Sequence, residues 1–419
     1  MRTAKFFLLL IFVHATSCLL VAGNGSIYSR LGIGEIITYS GSRSAAMGGT
    51  GLASFSDSYI NSANPATLGL LTRVQYSGDF QYQGYAVSDG SQSTFLSSGN
   101  IQSAMLAMPV YSAYSVTAAF GITPFSRTAY AVKDPETAGG QNIVQTFTGS
   151  GGLSSAQASI SFSPERDYYL GATVHYLFGN FDLRQQLEYS GTGYFTSDAE
   201  RFISMDGFAY TVGGAIAGID NVLGFSKEKQ VNVAATLFTG TSLNASEKTI
   251  QSFTTSKETT DVFAGGAKIP LGIALGFEYH PRERLSFTSD LQFQQWSHYS
   301  YLGIHPQEIR NSTRFGIGAE YMPSTTLGEA YYKQVIYRAG GYVNSSNLVL
   351  NGESINEYFV TGGIGVPIFF SPGSEGRLNI SVEYGIRGTT SNGLQRDKIT
   401  RLTVSLNGSD TWFVPPEVE

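Results

Sequence analysis

Between residues 73 and 84 the chain alternates without a slip, with Val74, Tyr76, Gly78, Phe80 and Tyr82 on one side and Arg73, Gln75, Ser77, Asp79, Gln81 and Gln83 on the other. A period of two demands a strand with one apolar and one polar face. The pattern returns at 168–178 (Tyr168, Leu170, Ala172, Val174, Tyr176, Phe178) and at 269–279 (Ile269, Leu271, Ile273, Leu275, Phe277, Tyr279). It is clearest at 378–387, where Leu378, Ile380, Val382, Tyr384 and Ile386 oppose Asn379, Ser381, Glu383 and Arg387. The apolar faces carry no charge. A charge facing lipid at mid-bilayer costs roughly 2–4 kcal/mol, which accounts for the exclusion. A soluble sandwich with one wet face gives the same alternation, so alternation alone leaves both architectures open.

The spacing of the strands discriminates further. Strands are expected near 73–84, 101–108, 114–123, 156–163, 168–179, 208–217, 231–239, 269–280, 284–296, 313–322, 334–343, 358–367, 377–388 and 397–407. Many approach the roughly 9–11 residues that a tilted strand needs to cross a bilayer. After odd strands the gaps are mostly long and polar (124–155, 180–207, 240–268), and after most even strands they are short (109–113, 164–167, 281–283). The gaps at 218–230 and 323–333 depart from this rule. Long loops on one rim and short turns on the other are the habit of outer-membrane barrels, and an even strand number returns both ends to the short-turn, periplasmic rim. The expected fold is all-β: a transmembrane antiparallel barrel of about fourteen strands, over residues 73–407.

The first residues, MRTAKFFLLLIFVHATSCLLVAG, place Arg2 and Lys5 ahead of an apolar run with small residues near a cut after Gly23, which reads as an export signal at 1–23. The one cysteine, Cys18, falls inside it, so the mature chain is expected to have neither disulfide nor thiol site. The chain of 419 residues has a formal net charge of −6, with no clustered lysines and arginines of the kind that nucleic acid requires.

Residues 24–72 lack sustained alternation and include GSRSAAMGGTGLASFSDSYINSANPATL at 41–68. No GxxxxGK[ST] pattern is present, so a phosphate cradle is disfavoured. A barrel of this width holds water or a plug. Ala45, Ala46, Gly48, Gly49, Gly51 and Ala53 permit close backbone packing, so 24–72 is expected to be a plug in the lumen, with 408–419 a C-terminal tail.

Several stretches carry a family resemblance: YSRLGIGE at 28–35, SAAMGGTGLA at 44–53, ANPATL at 63–68, EYFVTGGIGVPI at 357–368 and LNISVEYGIRGTTSNGL at 378–394. The chain resembles the FadL/TodX-like outer-membrane transport proteins, in the branch found in Bacteroidetes and related bacteria. The resemblance spans essentially the mature chain. It implies a fourteen-stranded barrel, an N-terminal hatch, and energy-independent uptake of long-chain fatty acids or other hydrophobic compounds. Asn64, Pro65 and Ala66 occupy the family's hatch motif. One departure is the end of the chain, where Trp412-Phe413 is followed by VPPEVE.

A carboxylate head needs an arginine or lysine, and a tail needs an apolar groove. By alternation Arg314, Arg338, Arg387 and Arg401 point into the barrel and are candidates for a substrate's head. Inward Glu320, Glu383 and Asp290 could instead pair with them. Phe55 and Tyr59, with Leu68 and Leu70, are candidates for a tail groove, or for ordinary packing of plug against wall. His175, His280, His298 and His305 show no metal-ligand spacing, and no GxSxG marks a nucleophile, so neither metal, cofactor nor catalytic residue is expected. The expected partners are a hydrophobic small molecule and outer-membrane lipid. Two alternatives from other classes stand beside this: a FadL-related shuttle of the type 9 secretion system that binds exported proteins, and a barrel enzyme acting on lipids.

Overall fold

The computed structural model describes residues 25–410 except 40, 139–140, 190–196, 226–229, 253–256, 325–328 and 372–373. The leader expected at 1–23 and residues 411–419 of the expected tail lie outside the described residues. Fourteen antiparallel strands form a closed barrel: β1 Val74–Ser88, β2 Ser93–Tyr111, β3 Val116–Pro124 continued by Ser126–Ala138, β4 Gln141–Glu165, β5 Tyr168–Tyr189, β6 Ser197–Ile216, β7 Val231–Phe238 continued by Thr241–Ser252, β8 Lys257–Ile269 continued by Gly272–Arg282, β9 Leu285–Gln294, β10 Ser312–Tyr321, β11 Ile336–Leu350, β12 Glu353–Ser371, β13 Ser374–Gly388 and β14 Arg396–Asp410. Closure comes from β14 on β1, in register from Arg396↔Ser88 to Asp410↔Val74. Residues 408–410 therefore belong to the last strand and not to a tail.

The outward faces are those that the alternation marks. Val382 and Tyr384 are about half exposed, whereas the alternating Ser381 and Glu383 are buried. Ile273, Leu275, Phe277 and Tyr279 likewise face out. Ile269 does not. The strand breaks at Pro270-Leu271, and on the arm side of the break Ile269 turns inward and is fully buried.

The long polar gaps differ from expectation. Residues 126–138, 141–155, 180–189, 197–207, 241–252 and 257–269 are not loops but continuations of their strands, paired in hairpin arms that rise beyond the membrane band. Outside hydrocarbon the outer face no longer has to be apolar, so the lipid-facing alternation stops while the backbone ladder continues. The inner faces of the arms are apolar instead. Leu153, Leu177, Phe181, Ile203, Met205 and Leu243 form one buried cluster with Trp296, Tyr299 and Ile309 of the β9–β10 connection and Ile33 from ahead of the barrel. Opposite the arms, short turns join β2 to β3, β4 to β5 and β8 to β9.

Candidate functional site

Residues 25–72 touch the inward faces of strands around the barrel, and their glycines explain how. Gly48 and Gly49 both have φ of +68°, a left-handed conformation that favours glycine. A Cβ at Gly48 would stand 2.4 Å from the Gly341 carbonyl oxygen, and one at Gly316 would stand 2.6 Å from the Gly48 carbonyl oxygen. Backbone therefore lies on backbone. The Gly51 and Leu52 amides donate to Asp290 Oδ2 at 2.8 and 3.0 Å, and Ser54 Oγ donates to Glu278 Oε1 at 2.8 Å.

The Asn-Pro-Ala motif is also a packing element. Asn64 caps the 3-10 turn Pro65–Leu70: its Oδ1 accepts from the Ala66 amide at 3.1 Å, and its Nδ2 donates to the Leu52 carbonyl at 3.0 Å. Pro65 at the first position of the turn gives up a donor that has no partner there. The motif rests on two wall glycines. A Cβ at Gly171 would lie 2.5 Å from Ala66 N, and one at Gly213 would lie 2.2 Å from Asn64 Oδ1.

The four candidate arginines are buried with their sequence neighbours Phe315, Tyr337, Ile386 and Leu402 exposed. Each is engaged. Arg387 meets Glu357 Oε1 at 2.6 Å and Glu35, while Arg401 meets Glu35 Oε1 at 2.8 Å, Tyr342 Oη at 2.8 Å and Glu383 Oε2 at 3.4 Å. Glu35 thus bridges two wall guanidiniums. Burial works to raise its carboxyl, but Arg387 and Arg401 overcome this and hold it down at about 2. Arg314 donates to the Gly48 and Gly49 carbonyls at 2.7 and 3.3 Å and lies over the rings of Tyr342 and Tyr39. Arg338 meets Glu320 Oε2 at 2.6 Å, and the same carboxylate takes a two-pronged contact from Arg43 at 3.0 and 3.1 Å. Arg43 also covers the Tyr59 ring at 4.4 Å.

Two cavities flank the N-terminal segment, and the candidates divide between them. A cavity of about 210 Å3 towards the hairpin arms is lined by Arg314, Arg387 and Arg401 together with Gln81, Gln83, Gln102, Gln292, Ile36 and Trp296. A second, of about 730 Å3 towards the short turns, is lined by Arg338, Phe55 and Tyr59. The arginines and the aromatic residues that sequence reasoning offered as one head-and-tail site do not form one. Phe55 packs on Tyr169 at 5.0 Å, and Leu68 is buried among Ile60, Leu71 and Met105.

Sequence reasoning missed the break in the wall. The β2–β3 ladder runs only from Tyr111↔Val116 to Ala104↔Ile122, and the remaining arm of β2, Ser93–Ser103, pairs with β1 alone. Gln102 is a bulge: Asp79 opposes Ser103 and Phe80 opposes Ile101, so one extra residue bends β2. Facing it, β3 breaks between Pro124 and Ser126, and β4 carries Gly151 and Gly152 at φ +114° and +138°. The chain's own N-terminal segment covers the β3 edge. Glu35–Ile36 pairs with Arg127–Ser126, the Ile37 amide donates to the Phe125 carbonyl at 3.0 Å, and the Gly25 amide donates to the Ala129 carbonyl at 3.1 Å. Gln102 lies at the foot of the break and lines the outer cavity. The glycine pair and the proline were the available signals.

A serine does meet a histidine, Ser155 Oγ with His175 Nδ1 at 3.0 Å. The other imidazole nitrogen lies 2.9 Å from the Thr211 hydroxyl and not against a carboxylate, so the pair lacks the acid of a triad. Among the described residues no group of three or more His, Cys, Asp or Glu is placed to hold a metal ion.

The family model named BamG matches residues 3–417. The chain belongs to the BamG family. Its BamG-family fold is shared with solved barrels of distant sequence. A Pseudomonas aeruginosa FadL homologue is 12% identical, with 90% of this chain and 99% of that one covered and a TM-score of 0.58. The Ralstonia pickettii toluene transporter TbuX is 15% identical (89% and 99% covered, TM-score 0.56), and the Pseudomonas putida toluene transporter TodX is 15% identical (90% and 99%, TM-score 0.55). No curated protein matches the chain. The FadL-like resemblance read from the sequence is borne out as a fold, and this BamG-family chain is an integral outer-membrane barrel.

Proposed function

We propose that this BamG-family barrel lets hydrophobic small molecules cross the outer membrane by diffusion. The observation that carries the reading is the break between β2 and β3, a side door from an interior cavity towards the lipid. Solved barrels of the same fold include toluene transporters and a monoaromatic hydrocarbon channel, which supports the class of cargo. The hairpin arms are taken as the extracellular rim, where cargo enters. From the outer cavity it leaves through the break, with the N-terminal segment as a fixed floor. Long-chain fatty acids, the cargo that the sequence resemblance implies, are one candidate.

The test is influx of toluene and of a long-chain fatty acid into proteoliposomes carrying wild type or a variant lacking Gln102, whose removal takes out the bulge and lets β2 re-pair with β3. Loss of influx in a variant that still folds supports the side door. Equal influx in both sinks it.

A second reading is favoured by one observation. The N-terminal segment is tied down by ion pairs, which suits a scaffold that binds an exported protein at its rim better than a moving hatch. A secreted protein retained in stoichiometric amount by the gently purified barrel, with no lipid or hydrophobic molecule, would move the conclusion there.

A further inference from the structure

We propose that the cavity facing the short turns is a binding site for a small oxyanion, a carboxylate or a phosphate, held by Arg377 and Arg338. The two guanidiniums converge on one backbone position, Gly365. Arg377 Nη1 donates to the Gly365 carbonyl oxygen at 3.3 Å. On the other side of the same residue, a Cβ would stand 2.9 Å from Arg338 Nη1 and 2.6 Å from Asn379 Oδ1. Only a glycine lets Arg338 and Asn379 close over the strand at that point.

The carboxylates nearest this pair already serve other arginines. Glu320 is the carboxylate of Arg338, but Arg43 shares it through two contacts at 3.0 and 3.1 Å. Glu375 is engaged by Arg73 at 3.1 Å. Asp79, two strands along the wall from Arg377, is bound by the hydroxyls of Ser103 and Ser405, and Asp57 is exposed at the edge. Among the described residues Arg377 makes no ion pair within 4 Å, and its hydrogen bond to the Gly365 carbonyl uses one of five donors. Two neighbouring guanidiniums in a partly buried pocket repel each other unless an anion sits between them. Their planar forks suit an oxyanion better than a point acceptor.

The cavity, about 730 Å3, is large enough to admit such a ligand with an organic body. The site lies on the other side of the N-terminal segment from the cavity at the wall break. It is therefore independent of the uptake route.

The experiment is calorimetric titration of the full-length protein in a non-ionic detergent with inorganic phosphate and, separately, with glutarate. Saturable binding of either, weakened at least tenfold by Arg377→Gln and unchanged by Arg184→Gln on an exposed hairpin arm, is the expected result. Phosphate alone binding assigns a phosphate group, and glutarate alone a carboxylate. As a measurement that needs no variant, the chosen anion should protect Arg377 of the wild type from phenylglyoxal, read by peptide mass spectrometry. No saturable binding of either anion, equal weakening by both substitutions, or modification of Arg377 at the same rate with and without anion overturns the proposal.

Discussion

The two sides of the barrel treat the N-terminal segment differently. On the β10–β14 side, backbone lies on backbone at Gly48 and Gly316, and Glu35 and Glu320 are each held by two arginines. On the β2–β3 side the wall itself is incomplete, and the segment supplies the missing strand pairing to β3 while the β2 arm is left with β1 alone. One side is locked and the other is open. This contrast supports the proposed route through the wall, because moving the segment would strand buried charges.

The sharpest way to break this comparison is at the locked side. Gly48→Val places a branched side chain at φ +68° with a Cβ 2.4 Å from a carbonyl oxygen, and should cost about 3 kcal/mol or more of stability. Ser97→Ala on the open β2 arm should stay within about 0.5 kcal/mol. Urea unfolding in detergent, followed by heat-modifiable migration on gels, compares the two; similar losses would mean that the sides do not differ.

Glu35→Gln follows in size. It removes one carboxylate from between Arg387 and Arg401, each of which keeps a second acid, so the loss should fall near about 3 kcal/mol. Protease cleavage within residues 25–72 should rise with it, and an unchanged digestion pattern would show that the ion pairs do not hold the segment. Asn64→Ala should cost about 1–2 kcal/mol, by uncapping Ala66 N and leaving the buried Leu52 carbonyl short of its donor.

The smallest effect concerns pH. The Glu35 carboxyl is held at about 2 in the folded protein, below the roughly 4.3 of a free glutamate. Its contribution is therefore present in full above about pH 4.3 and is lost as pH falls towards 2. The urea midpoint should drop between pH 5 and 3 in the wild type and drop less in Glu35→Gln; parallel curves would remove Glu35 from the account.

Much of the wall was legible because lipid imposes a local rule. Each of the fourteen expected strands has a counterpart, and Arg314, Arg338, Arg387 and Arg401 are inward as their neighbours required. The hairpin arms were not legible as strands, because outside lipid the rule lapses. The trace that remained was a change of phase: from Tyr168 to Tyr176 the even positions face out, and then Leu177, Phe181 and Leu183 carry the apolar face inward on odd positions. The candidate site was less legible still. Phe55 and Arg387 share no cavity, which follows from how the segment threads the lumen and from no local pattern.

Sequence by itself determined which face of each strand meets lipid, the number of strands, and the small residues that let one chain segment lie against another, since each depends on a residue and its near neighbours. The tertiary structure alone decided which carboxylate each arginine meets, that the candidate residues fall in separate cavities where one site was expected, and that the β2–β3 ladder ends beside Gln102. Those are consequences of closing the sheet on itself: ladder register, a bulge and partners hundreds of residues apart set them together, and no window of the chain contains that information.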